Sequence, residues 1–282
     1  MNLHPVKIHE PITIILAPLD QYSAFPGAVD AILKETRLPF DLIIVESNAP
    51  ESIRVKLEQR KKHHKNVRII YSDHRMRLAA AFNLALPHIR TRVAFFTHNN
   101  VRVTLLWLEH LLKHAKDNHG VVCPYVAHHE HMIREKDVPE VDINGFLATK
   151  EALRSLGEFD EKVDAPLLGM DLGLRLKDKG VNVVRDPFTV LEYEPALFAK
   201  AFDLKFFQHQ WDEKHLRESV LYMRKKWGLK LHEFKYVEWL QKRKHFLQKR
   251  PADAAFGWEE LPLKLKFPKV SLQKFLQVLI RA

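Results

Sequence analysis

From about residue 11 to residue 195, short β-branched apolar runs alternate with stretches whose apolar positions recur every three or four residues. The run Pro11-Ile12-Thr13-Ile14-Ile15-Leu16-Ala17 predicts a strand, and residues 28–37, with Val29, Ile32 and Leu33 at helical spacing, predict a helix. The same pair of signals returns as strand 41–46 and helix 51–64, strand 66–71 and helix 78–86, then strand 91–96 and helix 107–116. Such alternation predicts βαβ crossovers and a mainly parallel sheet. Beyond it a strand over 121–125, a polar loop over 128–139, helices over 151–156 and 170–179, and a strand over 181–184 leading into 189–192 are expected. The α/β pattern stops near Tyr193. The rest is helical in composition and dense in Lys, Arg, Phe and Trp, with breaks at Gly228, Pro251, Gly257, Pro262 and Pro268. An α/β domain over 1–200 and a basic, aromatic-rich helical extension over 201–282 are the expected units.

Composition narrows the class. Of 282 residues, 46% are apolar and 28% charged, the balance of a globular chain with a core rather than a disordered or multi-span one. The longest apolar run, 12–19, is far short of the ~20 residues of a membrane span, and the first ten residues hold no apolar segment of the secretory type. A single cysteine, Cys123, leaves no intrachain disulfide and no multi-cysteine zinc site; it is expected as a small buried hydrophobe in a reducing, cytoplasmic setting. Lys and Arg total 45 against 35 acids, a net charge of +10, which favours anionic partners without choosing among nucleotides, nucleic acid and acidic lipid.

In a parallel sheet, ligands bind beyond the carboxyl ends of the strands. Four such ends are polar here: Leu19-Asp20-Gln21, Glu46-Ser47-Asn48, Ser72-Asp73-His74-Arg75 and Thr97-His98-Asn99-Asn100. Neither Gly-x-Gly-x-x-Gly nor a Gly-Lys-Ser/Thr loop is present, so phosphate has no glycine-rich cradle.

The order of these segments resembles the family 2 glycosyltransferases of the GT-A fold. The likeness runs through Ile43-Ile44-Val45-Glu46-Ser47-Asn48, then Arg77-Leu78-Ala79-Ala80-Ala81-Phe82-Asn83, then Phe96-Thr97-His98-Asn99-Asn100 at the place of a metal-binding Asp-x-Asp. It continues through Asn144-Gly145-Phe146-Leu147-Ala148, Gly157-Glu158-Phe159-Asp160-Glu161 and Gly169-Met170-Asp171-Leu172-Gly173-Leu174-Arg175-Leu176. It implies a GT-A-like nucleotide-sugar-binding domain that transfers a sugar from a nucleoside diphosphate sugar to a hydroxyl acceptor with inversion. By the same likeness Asp20, Glu46 and Asn48 meet the nucleoside, Arg75 and Arg77 face the diphosphate, and His98, Asn99 and Asn100 lie at the donor. Inversion needs a carboxylate base. Asp171 is the first candidate, read as standing at a helix start, with Asp164 and Asp160 behind it; the family's usual position aligns with Leu168-Gly169, which carries none.

The metal question follows from the donor atoms. Mg²⁺ prefers charged oxygens, whereas the chain offers an imidazole and two neutral amides, so His98 and Asn100, with Glu192, suit Mn²⁺ better than Mg²⁺, and metal independence is an equal expectation. Asn83 is expected to pack against the sheet. His128-His129-Glu130-His131 is read as a loop bordering an acceptor site rather than a metal cluster. The basic and aromatic C-terminal segment, with Trp211, Met223-Arg224-Lys225-Lys226-Trp227 and Lys242-Arg243-Lys244, suits either a helical cap or peripheral contact with acidic lipid, and nucleic acid is the weakest of the partners. The acceptor class stays open among glycan, lipid-linked and protein. A GT-A-like domain that binds nucleotide, glycan or protein without catalysis is the alternative.

Overall fold

A computed structural model of the chain describes residues 10–117, 120–127, 140–194 and 200–230. In order the elements are β1 (Ile12–Ala17), α1 (Phe25–Glu35), β2 (Phe40–Ser47), α2 (Glu51–His63), β3 (Val67–Ser72), α3 (Leu78–Ala85) and β4 (Val93–His98). There follow β5 (Val101–Arg102), α4 (Trp107–Asp117), β6 (Val121–Ala127), β7 (Gly145–Thr149), α5 (Lys150–Leu156), α6 (Ala165–Asp178), β8 (Val183–Tyr193), α7 (Ala201–Gln210) and α8 (Glu213–Trp227).

One eight-stranded sheet has the order β3-β2-β1-β4-β7-β6-β8-β5. The first four strands are parallel, as the alternation requires. The other half is mixed, because β7 runs antiparallel to both β4 and β6, and β5 runs antiparallel to β8. Sequence periodicity announces neither the two-residue β5 nor β7. Gly-Phe-Leu-Ala-Thr is too short to show a period, and its glycine is a packing requirement: a Cβ on Gly145 would stand 2.9 Å from both the Leu191 and Phe95 side chains.

β1 is apolar at nearly every position because every residue of it is buried, as expected for a parallel strand covered on both faces. One core holds Phe82, Phe96, Phe146 and Phe159 beneath α3, α5, α6 and α8. The other holds Phe25, Ile32, Leu57, Phe95, Trp107 and Phe206 beneath α1, α2, α4 and α7. Phe206 of α7 stacks on Tyr22 at 4.0 Å between ring centres, and Leu216, Val220 and Met223 of α8 are buried in the first core. At ~1.5–3 kcal/mol for each buried side chain of this kind, the two helices are fastened to the α/β unit rather than tethered beside it.

α6 corrects one sequence expectation. It begins at Ala165, with Asp164 extended at the N-cap position and Pro166 in the first turn, so Asp171 lies in its second turn and not at its start. Proline is favoured in a first helical turn, where its missing N–H has no partner to lose. Gly169 inside that helix reads as a break in sequence; in the fold it lies against the main-chain oxygen of Val141, where any Cβ would collide.

Candidate active site

The carboxyl ends of β1, β2, β3 and β4 open on one edge, and two non-glycine residues there take left-handed backbone: Asp20 at φ 54° and Asn48 at φ 53°. Asp and Asn tolerate this region better than other side chains because their short polar groups bond locally. Asn48 is exposed at the edge and its N–H donates to Ser72 O at 3.0 Å. Asp20 is buried. Its two carboxylate oxygens accept hydrogen bonds from Tyr193 Oη and Trp211 Nε1, both at 2.6 Å, and burial raises its pKa against the effect of those two donors.

Glu46 is fully buried at the end of β2. One oxygen accepts from the Ala49 N–H and the other is 3.2 Å from Arg54 Nη2; burial raises its pKa although both partners act to lower it. A groove of about 640 Å³ opens alongside between α2 and β3, lined by Arg54, Glu58, Tyr71 and Asp73 among others. Tyr22 donates its hydroxyl hydrogen bond to Ser47 O, and the Arg75 side chain bonds the same hydroxyl.

The segment at the end of β4 is committed to holding the fold. Asn99 accepts from Leu19 N at 2.7 Å and donates to Gln21 O, which ties the loop after β1 to β4. His98 Nε2 is 2.9 Å from Asn144 Oδ1, and His98 Nδ1 accepts from Asn100 N at 3.3 Å, an arrangement that places the proton on Nε2. Asn100 Nδ2 donates to Glu194 O at 3.1 Å, which leaves Asn100 Oδ1 as a buried atom with no hydrogen-bond partner among the described residues. Glu192 stands exposed on β8 opposite Arg102. Among the described residues no three His, Cys, Asp or Glu side chains converge as metal ligands. One neutral amide oxygen, with both imidazole nitrogens already bonded, is a donor set that does not fit Mg²⁺ or Mn²⁺. The 128–131 histidine cluster lies outside the described residues.

At the start of α6, Asp164 and Arg77 form an ion pair of 2.5 Å, and the same Arg77 nitrogen lies 3.3 Å from Gln210 O. Burial raises the Asp164 pKa, with Arg77 opposing. Its second oxygen is buried and has no hydrogen-bond partner among the described residues. Asp171 is elsewhere, on the helical layer beneath α8: its Oδ1 accepts from Lys226 Nζ at 2.7 Å and Trp227 Nε1 at 2.9 Å, and its Oδ2 is 3.0 Å from Arg175 Nε. Lys226 also meets Asp160 at 2.7 Å, and Tyr222 donates to the same carboxylate at 2.7 Å. The edge therefore carries Asp20, Glu46, Asn48, Arg75, Arg77, His98, Asn99, Asn100 and Asp164, while the carboxylates of Asp160 and Asp171 share Lys226 of α8.

Asn83 is a packing residue, exchanging bonds with Phe159: its Nδ2 donates to Phe159 O at 2.9 Å and its Oδ1 accepts from Phe159 N at 2.7 Å. Cys123 is buried, and burial pushes its thiol up to about 12. Sequence reasoning missed Tyr22, Tyr193, His209 and the inward role of Trp211, all of which reach the edge. Only the density of aromatics around residues 202–211 hinted that this segment packs rather than floats.

Residues 14–160 match the family model described as Glycosyl transferase family 2. No curated protein sequence matches the chain. Among solved structures, a mannosyltransferase from Pyrobaculum calidifontis in complex with GDP-Man and Mn²⁺ superposes with a TM-score of 0.56 at 16% identity, over 87% of this chain and 88% of that one. Glucosyl-3-phosphoglycerate synthase from Mycobacterium tuberculosis, with Mn²⁺, UDP and glucosyl-3-phosphoglycerate, gives 0.55 at 12% identity over 78% and 81%. GalNAc-T7 with UDP, GalNAc and Mn²⁺ gives 0.57 at 12% identity, over 86% of this chain and 56% of that one. At such identities the likeness establishes a shared GT-A fold.

Proposed function

The chain belongs to glycosyl transferase family 2, and from that membership we propose that it moves a sugar from a nucleoside diphosphate sugar to a hydroxyl acceptor with inversion, using Asp164 as its base. It is a glycosyltransferase of the GT-A fold. The observation that carries the assignment of the base is the state of the Asp164 carboxylate: one oxygen fixed by Arg77, the other buried and unbonded among the described residues. In the step, the acceptor oxygen attacks C1 of the donor sugar while the bond from C1 to the diphosphate oxygen breaks and its electron pair leaves with the diphosphate. Asp164 takes the acceptor proton. A carboxylate whose pKa burial has raised is a better base near neutrality than an exposed one, and Arg77 keeps it from turning away.

The donor lies along the ends of β1 to β3, with Asn48 exposed toward the nucleoside, Glu46 holding Arg54 at its side, and Arg75 toward the phosphates. The relatives were crystallised with Mn²⁺; the donor set at His98, Asn99 and Asn100 does not fit such an ion, and no step here passes through one. The acceptor is a glycan, a lipid-linked sugar or a protein hydroxyl. No helix among the described residues is long and apolar enough to cross a membrane. Phe206 and Phe207 of α7, Trp211 just beyond it and Trp227 of α8 turn toward the protein, so contact with acidic lipid in the cytoplasm falls to the lysines that face water, such as Lys214 and Lys225.

Donor hydrolysis and calorimetry test this reading together. UDP or GDP should bind, and Glu46→Ala should weaken it by releasing Arg54. Binding without any turnover of a sugar donor, across a panel of acceptors, would instead favour the non-catalytic domain.

A further inference from the structure

The mechanism so far leaves one cluster unused. His209, next to last in α7, is hydrogen-bonded to the main chain of Arg75, in the loop between β3 and α3. Its Nε2 is buried and has no hydrogen-bond partner among the described residues, and the same holds for Arg75 Nε. Two buried nitrogens without hydrogen-bond partners among the described residues, the bare Nε2 of an imidazole whose other nitrogen bonds the Arg75 main chain and the Nε–H of Arg75, therefore come from two adjoining segments at the carboxyl edge. An unmade hydrogen bond in such a place is costly, which singles the pair out as a waiting anion site.

The charges around His209 are of one sign. Arg75 and Arg77 face it from the β3–α3 loop and His215 faces it from α8. Arg77 is itself paired with Asp164. Burial is the main reason the His209 pKa is lowered, and Arg77 and Arg75 lower it further. Both effects favour the neutral imidazole in the free protein.

Resting on the donor reading above, we infer that His209 and Arg75 hold the diphosphate of the donor in place of a metal ion, with His209 taking up a proton from solvent as the diphosphate arrives. The diphosphate carries the negative charge that the cluster lacks. Once it is seated, its charge offsets the burial and the repulsion that disfavoured the imidazolium, and the newly protonated Nε2–H donates to a phosphate oxygen while Arg75 Nε–H donates to another. This is the task that Asp-x-Asp and a cation perform elsewhere in the fold, done here by a residue outside the matched 14–160 region.

Calorimetry on the full chain tests it, with UDP and GDP titrated near neutral pH in two buffers of different ionisation enthalpy, in EDTA and again with Mn²⁺. The parent should take up about half a proton or more per nucleotide, in excess of His209→Gln, with affinity unchanged by EDTA. His209→Gln and Arg75→Gln should each weaken binding roughly 10- to 100-fold, because each removes a charged hydrogen bond. Thermal unfolding of each variant checks that it is folded, and the difference in proton uptake between parent and folded His209→Gln decides the proton. Binding of a nucleotide with no proton uptake, or with uptake equal in His209→Gln, or binding abolished by EDTA and restored by Mn²⁺, overturns the inference and leaves the donor reading standing. Failure of both nucleotides to bind the folded parent overturns both.

Discussion

Trp211 Nε1 donates a 2.6 Å hydrogen bond to Asp20 Oδ1 across 191 positions of sequence. The partner oxygen of Asp20 is taken by Tyr193, so a carboxylate at the end of the first strand is closed off by side chains from β8 and from just beyond α7. Trp211→Phe keeps the ring stacked on Phe207 and deletes only the donor. Equilibrium unfolding in urea should show a loss of roughly 1–3 kcal/mol, the range for leaving a buried acceptor without its donor. An unchanged midpoint would mean that water replaces the indole without cost.

Asp20 also sets a pH dependence whose sign is fixed by its burial. Its pKa is raised above 3.8 in the folded protein, so the folded state binds the proton more tightly than the unfolded one. Stability from this group is therefore fullest below the unfolded value and is lost as pH rises toward and through the raised folded value. Asp20→Asn removes the titration, so the difference in unfolding free energy between variant and parent should shift in the variant's favour from about pH 4 to about pH 8. A difference that does not move with pH would assign no net shift to Asp20.

Asp164→Asn preserves the shape at the head of α6 and an acceptor for Arg77, while removing the basic oxygen. Turnover should fall by ~10²–10⁴-fold with nucleotide affinity nearly unchanged. In the parent, the acid limb of the rate profile should rise with an apparent pKa above the ordinary carboxylate range, since Asp164 acts only when deprotonated and its pKa is raised by burial. Stopped-time assays of the released nucleoside diphosphate across pH give both quantities. Parental turnover in Asp164→Asn would remove the base from this position.

Much of the fold was legible because parallel strands with both faces covered must be apolar at nearly every position, and β1 and residues 42–45 of β2 are. The carboxyl-edge residues followed from strand direction alone, which is why Asp20, Glu46, Asn48, Arg75 and Asn99 do gather. Two things were not legible. Gly169 and Pro166 look like breaks to a periodicity argument, yet one is a first-turn proline and the other a close contact with Val141, so the helix start was misplaced and with it Asp171. The partners of the edge residues were hidden for a different reason: Tyr193, His209 and Trp211 come from far along the chain, and no local spacing encodes which of many aromatics will turn inward.

Asp171 then acquires a structural reading that a double-mutant cycle can test. Its carboxylate is fully buried, accepts from Lys226 and Trp227 and pairs with Arg175, while Lys226 is shared with Asp160. The Asp160 pKa is lowered although burial acts to raise it, because Lys226, Tyr222 and the Lys162 N–H bond its charged form. Its share of the stability is accordingly present above the unfolded value of 3.8 and lost as pH falls through the depressed one. Lys226→Met leaves the buried carboxylate on α6 with only Arg175 and Trp227, so it should destabilise by less than the roughly 3–5 kcal/mol of a fully unpaired buried charge, whereas replacing both members, Lys226→Met with Asp171→Leu, should recover part of that loss because the buried carboxylate is then removed together with its ammonium. Asp171→Asn alone should destabilise while the folded fraction keeps its turnover. If instead Asp171→Asn folds as well as the parent and loses turnover by orders of magnitude, the carboxylate beneath α8 takes part in the chemistry after all, and the ion pairs around it serve to hold a base rather than a helix.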